Sequence, residues 1–302
     1  MPLKTTVFGC RTNTNDFLNY LDQKKFNINK IISINSKTAK NNKVAGYFNL
    51  KKNHFKKKVE FSKHYSLKKN IEKVFNVKEK FDIGFSIGWQ RLIPINILNK
   101  FKYGVYGMHC SMYELPDGKG RSPINWSIIK GSKFLFCHIF KYTENFDDGK
   151  VVFKKKIFFD FDEDINTIQQ KLCFIFLNFI NNTNKFYKKN LQQKKEKKII
   201  IFKKRTSESG EIDIKKHDAY SFKNFVRAQS KPYPGAFFKI NNNKYRIWKI
   251  NCFKYKLKSK LNYKILQIFS DNSFIIYFKG SIVHILEHEI PNKILNKLKF
   301  IK

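Results

Sequence analysis

A histidine and an aspartate, each placed where a predicted strand meets a loop, supply the first chemical reading. In G-M-H-C-S-M-Y-E-L-P-D-G-K-G-R-S-P-I-N-W (107–126), His109 ends a predicted strand, and a loop of Gly, Pro and polar residues follows. F-D-D-G-K (146–150) puts Asp147 in a second loop, again after a predicted strand. Open α/β sheets build sites at the carboxyl edges of their strands, so the two side chains can meet although far apart in sequence. Imidazole titrates near neutral pH, and a carboxylate can orient it or raise its basicity. The pair therefore has the parts of a proton relay. Most carboxylates near histidines are solvated surface groups, and here it is the surrounding loops that lift the functional reading.

Other residues compete for chemistry. Asp148 neighbours Asp147, and Ser111 could be a nucleophile beside His109, although a turn-forming serine is the more frequent case. Lys119 and Arg121 could bind an anion, but exposed loop cations are mostly solvated. His109–Cys110 and Cys137–His138 invite a zinc reading. Adjacent strand residues point to opposite faces, so neither pair chelates one ion readily, and no metal is expected. H-I-L-E-H (284–288) would align two histidines on a helix; read as a strand, its histidines lie roughly 13 Å apart.

The elements that must position these groups follow from periodicity. T-T-V-F-G-C (5–10) and K-I-I-S-I-N (30–35) read as buried strands flanking a short helix lined by Phe17, Leu18 and Leu21. No G-x-G-x-x-G follows the first strand, which removes the main support for a dinucleotide site. Residues 36–58 are rich in Lys and Asn. F-D-I-G-F-S-I-G (81–88) is a strand leading into W-Q-R-L-I-P (89–94) and a helix around 95–101. Further strands are predicted at 103–108 and 133–142, with a short helix from Asn125 to Gly131 between them. Ile165, Ile168, Leu172, Phe176 and Phe179 repeat at helical spacing behind Asp162–Asp164, as a core stripe would. The Lys/Asn/Gln-rich stretch 184–198 reads as a linker. After it come a strand at 199–202, a helix over 219–228 and short strands at 237–240, 244–250, 263–268, 274–279 and 281–287. Short strands with N-N-N and D-N-S turns fit a small barrel.

With 61 Lys and Arg against 23 Asp and Glu, the net charge of +38 would ordinarily suggest nucleic acid or anionic lipid. The lysines are spread along the chain, and Lys, Asn, Phe and Ile are enriched together, which looks like a coding bias. Attraction to an anionic substrate remains reasonable. Five irregularly spaced cysteines suit a reducing cytoplasm. The start shows no signal-peptide pattern, and the apolar run 172–180 falls short of the roughly 20 residues a membrane helix needs. A soluble, cytoplasmic protein with no membrane partner is expected.

Residues 107–150 resemble the formyltransferase family that uses 10-formyltetrahydrofolate, whose core reads N-x-H-x-S-L-L-P, R-G-x-x-P-I and D-x-G. His109, Ser111, Leu115, Pro116, Gly120, Arg121, Pro123, Ile124, Asp147 and Gly149 fall into that pattern. The loop between Ser111 and Pro116 is two residues longer. The family's asparagine falls on Gly107, which has no side chain to offer. F-V-R-A-Q-S-K-P-Y-P-G-A-F-F (225–238) with K-Y-R-I-W-K (244–249) resembles the start of the family's small C-terminal domain.

The resemblance implies an α/β fold: a Rossmann-like parallel-sheet catalytic domain over 1–190 and a small OB-like β-barrel over 205–302. It implies formyl transfer to a small amine, with a nucleotide-linked amino sugar as first choice and a homodimer allowed. The tRNA enzymes carry a P-x-G-R-G-K-K type loop near 36–58 that is absent here, so methionyl-tRNA formyltransferase is second and no specific nucleic acid is expected. A catalytically weakened relative that only binds folate, sugar nucleotide or RNA is third. His109 and Asp147 take the catalytic roles. Trp89, Gln90, Arg91 and Leu92 fall to the pterin pocket, Ser111, Leu115 and Pro116 to the folate-side loop, and Lys119 and Arg121 to the glutamyl tail or a substrate phosphate. The donor missing at Gly107 is supplied by a backbone amide, water, Gln90 or Ser111, or the site has diverged.

Overall fold

The computed structural model describes residues 3–52, 54–68, 74–183, 191, 199–256 and 263–298. The chain divides into two compact units, one made of Met1–Gly120, Phe136–Ile157 and Gln169–Ile201, the other of Arg121–Leu135, Phe158–Ile168 and Phe202–Lys302. The predicted linker 184–198, Leu191 apart, lies outside the described residues. Among the described residues no helix is long and apolar enough to cross a membrane.

The first unit is built on β1 (Thr5–Phe8), β2 (Lys30–Ile34), β3 (Val59–Ser62), β4 (Phe81–Ser86), β5 (Phe101–Ser111), β7 (Phe134–Lys141) and β8 (Val151–Phe158). They form a seven-stranded sheet in the order β3-β2-β1-β4-β5-β7-β8. The central strands are near-continuous apolar runs, buried at almost every position, as strands covered on both faces must be. Pairing is parallel from β3 through β5. The expected all-parallel sheet is corrected at β7, which runs antiparallel to β5 from Tyr106↔Lys141 to Ser111↔Phe136. β4 and β7 lie on opposite sides of β5. The parallel pairing of β5 to β4 ends at Ser86↔Gly107, and the β5 backbone beyond continues against β7. His109 consequently sits inside β5 rather than at its end.

Helix α1 (Thr12–Gln23) buries Phe17, Leu18 and Leu21. The Lys/Asn-rich stretch, which shows no apolar periodicity, nonetheless folds into α2 (Ser36–Asn41), where the Asn35 side chain accepts from the Thr38 N–H at 2.8 Å. Next to it β3 reads V-E-F-S and is half exposed, an edge strand whose polarity hides it in the sequence. The predicted helix after Pro94 is only the single turn α3 (Ile95–Leu98), because Phe101 already belongs to β5. Asp164 caps α5 (Ile165–Asn181) by accepting from the Thr167 N–H at 2.9 Å. The five stripe residues of α5 are all buried. The dipeptide strand β6 (Lys119–Gly120) pairs with β9 (Ile201–Phe202).

The second unit carries α4 (Pro123–Ile129), α6 (Ala219–Arg227) and α7 (Asn292–Leu295) with an antiparallel sheet. That sheet comprises β10 (Ala236–Ile240), β11 (Asn243–Lys254), β12 (Ile265–Ile268), β13 (Phe274–Phe278) and β14 (Ser281–His288) in the order β10-β11-β14-β13-β12. Phe222 of α6 is fully buried with Phe238, Ile247, Phe274, Phe278 and Val283, so one face of the sheet is a dry core. The histidines of H-I-L-E-H lie on β14, where His284 Nε2 meets Ser273 Oγ at 2.9 Å and His288 Nε2 meets the Asn272 carbonyl at 2.7 Å.

Packing of α5 onto the first sheet gives a direct test. Phe176 stacks on Phe17 with ring centroids 5.9 Å apart and meets Phe85 edge-on at 6.2 Å. Phe176→Ala should destabilise the first unit by about 3–5 kcal/mol, measured as a lowered urea midpoint. A loss below about 1 kcal/mol would mean that α5 is not seated on this core.

Candidate active site

Side chains alternate across a strand, so Val105, Gly107 and His109 of β5 share one face. The antiparallel register sets Phe140 opposite Gly107 and His138 opposite His109. Past the end of β7, the Tyr142 N–H donates to the Val105 carbonyl at 2.7 Å and continues that register. One sheet face therefore presents His109, His138, Phe140 and Tyr142 around a gap at Gly107.

His109 is buried, with Nε2 2.8 Å from the Gly118 carbonyl and Nδ1 3.4 Å from Asp147 Oδ2. A carbonyl only accepts, so Nε2 carries the hydrogen in the first contact. The ring thus has an acceptor at each nitrogen. The Gly118 turn is itself anchored: its N–H donates to the Ile200 carbonyl at 2.8 Å, and Asp117 Oδ1 accepts from the Ile200 N–H at 2.7 Å.

Asp147 approaches from the loop after β7, with its backbone in the left-handed region at φ 49°. The loop is closed by the Lys141 N–H donating to the Lys150 carbonyl at 2.9 Å. A Cβ at Gly149 would lie 1.5 Å from the Lys141 carbonyl oxygen, so the glycine of D-x-G is a steric requirement. The Gly120 N–H donates to Asp147 Oδ2 at 3.2 Å. Burial pushes the Asp147 carboxyl up, but the His109 ring, the Gly120 N–H and the Lys119 ammonium outweigh it and hold it below its ordinary range. Asp148 instead faces outward and pairs with the buried Lys119 at 3.0 Å. Of the two adjacent aspartates, Asp147 is the one against the imidazole.

The other expected residues fall in several places. Trp89 is packed inside the apolar core, its ring edge-on to Tyr65 with centroids 5.1 Å apart, and its Nε1 has no partner among the described residues. The Gln90 N–H donates to the Tyr65 hydroxyl at 3.1 Å, and the Arg91 guanidinium lies over the Tyr65 ring at 4.5 Å. Leu92 and the Gln90 side chain are exposed. The Ser111 hydroxyl donates to the Tyr113 carbonyl at 2.7 Å and accepts from the Tyr113 N–H at 3.0 Å, which closes a local turn. Leu115 packs with Phe140, Val151 and Tyr142, and the Leu115–Pro116 peptide is cis. Arg121 belongs to the second unit and is half-buried.

Two further side chains stand on this face: His138, weighed from the sequence only as half of a zinc pair, and Tyr142, which the sequence did not single out. Burial and the neighbouring His109 push His138 down to about 4, so this imidazole is neutral at physiological pH, and its buried Nδ1 has no partner among the described residues. The Tyr142 ring stacks on Phe140 with centroids 5.2 Å apart, and its hydroxyl donates to Ser86 Oγ at 3.2 Å. A Cβ added to Gly107 would sit 2.2 Å from Tyr142 Cε1 and 2.4 Å from its hydroxyl oxygen. Only the strand register could have shown that Tyr142 fills this gap. A separate cleft of about 570 Å³ lies in the second unit, bounded by Asp162, Lys223, Arg227, Trp248 and Glu287. It contains none of the expected site residues.

Asp147 titration can be checked through stability. A carboxyl held below its unfolded value stabilises the fold above that value, and the contribution disappears as pH falls through the folded one. The unfolding free energies of wild type and Asp147→Asn should therefore differ near neutrality and converge below about pH 4, as read by urea denaturation at stepped pH. A difference that persists unchanged to about pH 2 would contradict the assignment.

Comparison with known proteins identifies the family of the chain. Residues 3–175 match the formyl transferase family, and residues 204–302 match the formyl transferase C-terminal domain. The bifunctional polymyxin resistance protein ArnA of Wigglesworthia glossinidia brevipalpis is 29% identical over 228 residues, covering 73% of this chain and 33% of that protein. The methionyl-tRNA formyltransferase of Finegoldia magna is 26% identical over 229 residues, covering 74% of this chain and 72% of that one. Among solved structures, HypX from Aquifex aeolicus superposes with a TM-score of 0.63 at 16% identity, over 100% of this chain and 49% of that one. The N-formyltransferase from Helicobacter canadensis, solved with folinic acid and dTDP-3-aminofucose, gives 0.58 at 15% identity over 94% and 98%. The chain thus spans about a third of ArnA and about half of HypX. With family matches running through both of its parts, this chain belongs to the formyl transferase family.

Proposed function

We propose that this protein is a 10-formyltetrahydrofolate-dependent N-formyltransferase whose acceptor is a small amine carried on a nucleotide-linked sugar. The observation that carries the reading is the contact of His109 with an ionised Asp147 on the sheet face of a formyl transferase chain. The Helicobacter canadensis structure, by its description, holds a folate and an amino-sugar nucleotide in a related fold, which supports the acceptor class. Residues 1–190 would form the catalytic part and 205–302 a β-rich part. For the latter, the register shifts of β11 around Lys249 support an OB-like barrel, since such irregularities let a strand bend.

In the transfer, the acceptor nitrogen bonds to the formyl carbon as that carbon leaves the folate nitrogen. The acceptor nitrogen loses a proton and the folate nitrogen gains one. His109 is the group that carries this proton, and Asp147 offsets the charge the ring gains. Both ring nitrogens are engaged here, so exchange with substrate requires the Gly118 bond to open on binding, as catalytic hydrogen bonds often rearrange. For the folate, Trp89 fits as the buried base of the loop rather than as a stacking surface, and Gln90, Arg91 and Leu92 are the parts within a ligand's reach. Ser111, Leu115 and Pro116 shape the adjoining loop. Lys119, oriented by Asp148, and Arg121 supply positive charge for an anionic tail or phosphate.

The resemblance to methionyl-tRNA formyltransferases and the charge of +38 favour tRNA as the second reading. Charge spread along the chain predicts weak tRNA binding, indifferent to sequence and falling steeply with salt. Formylation of charged initiator tRNA at physiological salt would overturn the sugar assignment. For the catalytic pair, His109→Asn should lower kcat by about 10²–10⁴ with little change in the folate KM, measured as tetrahydrofolate release over a panel of amino-sugar nucleotides. Asp147→Asn should follow it, and Asp148→Asn should be milder. Wild-type kcat in His109→Asn would remove the mechanism. An absence of release with every acceptor would leave a binding protein.

A further inference from the structure

Acyl transfer puts negative charge on the carbonyl oxygen, and a hydrogen-bond donor must meet it there. The side chains around His109 are mostly committed elsewhere. The imidazole faces acceptors at both nitrogens, the Ser111 hydroxyl donates to the Tyr113 carbonyl, and Lys119 is held by Asp148. Gly107, two residues before His109 on the same face, offers nothing. Its space is filled by Tyr142, whose hydroxyl oxygen lies 2.4 Å from where a Cβ at 107 would be.

We propose that the Tyr142 hydroxyl is the oxyanion donor of this site, occupying by a cross-strand route the place of the side chain that position 107 lacks. The assignment rests on the formyl-transfer reading above and deepens it. The Tyr142 proton is donated, not transferred: it stays on the phenol while the formyl oxygen gains and then loses charge. Three features suit the role. The hydroxyl's present acceptor is another hydroxyl, Ser86 Oγ, at 3.2 Å. That long bond can be exchanged for one to a substrate oxygen, with Ser86 free to turn toward another partner. The ring is fixed by stacking on Phe140 and by contact with Leu115, so the donor is held in advance of the reaction. Burial pushes the phenol up to about 12, which keeps its proton in place throughout the physiological range. The plainer alternative is that the ring merely fills the gap at Gly107. A filler needs the ring and not the oxygen, and this separates the two roles.

Tyr142→Phe keeps the ring and removes the donor. Tetrahydrofolate release should then show kcat lowered by about 10²–10³ with the folate KM and the thermal midpoint nearly unchanged. Gly107→Asn alone should reduce turnover, because its Cβ needs the space of the Tyr142 ring. Gly107→Asn combined with Tyr142→Ala clears that space and returns a donor, so its turnover should exceed that of Tyr142→Ala. Wild-type kcat in Tyr142→Phe, or a gain in turnover from Gly107→Asn alone, would overturn the assignment and leave formyl transfer standing. A wild-type enzyme that releases no tetrahydrofolate with any acceptor would overturn both.

Discussion

Because β7 runs antiparallel to β5 with His138 opposite His109, one backbone register decides which side chains can meet. A slip of a single residue would send His109 to one face of the sheet and Tyr142 with His138 to the other. The same register delivers the chain at Lys141 into the loop that returns Asp147 to the imidazole. Closure of that loop at Lys141 and Lys150, with Gly149 pressed against the Lys141 carbonyl, converts a strand pairing into a distance between two reactive groups.

Electrostatics then has to work in a confined space. Asp147 is largely buried and stays ionised because an N–H, a ring and an ammonium all point toward it, not because it is solvated. Lys119 is also buried, and Asp148 answers its charge from the solvent side. The two neighbouring aspartates divide the labour of neutralising the site. His138, opposite His109 in the register, stays neutral because burial and the neighbouring ring push it down. This arrangement concerns a handful of groups and owes little to the overall charge of +38, most of which sits on exposed lysines.

Much of this was legible in the sequence where burial leaves a periodic trace. The β1, β2 and β4 runs, the α5 stripe and the five strands of the second unit read directly as apolar patterns. The pairing of His109 with Asp147 followed from strand-and-loop logic and from the D-x-G glycine. What stayed hidden was long-range or polar. The edge strand β3 and helix α2 lie in a Lys/Asn-rich stretch with no clear period, and β8 exposes Lys154, Lys155 and Lys156 at its middle. The turn of the sheet to antiparallel at β7 is a matter of long-range pairing, which composition does not encode. The resemblance assigned Trp89 to the pterin pocket, and its ring is packed against Phe8 and Tyr65 in the core.

The fit between Gly107 and Tyr142 also constrains how this chain can change over generations. With a Cβ at 107 only 2.2 Å from the Tyr142 ring, no single substitution at the glycine is silent. A lineage that regains a side chain there must first, or simultaneously, shrink residue 142. The reverse path meets the matching obstacle, since truncating Tyr142 alone opens a hole beside Phe140 and Leu115. Neither position can drift alone, so the pair behaves as one inherited character with two settings and a valley between them.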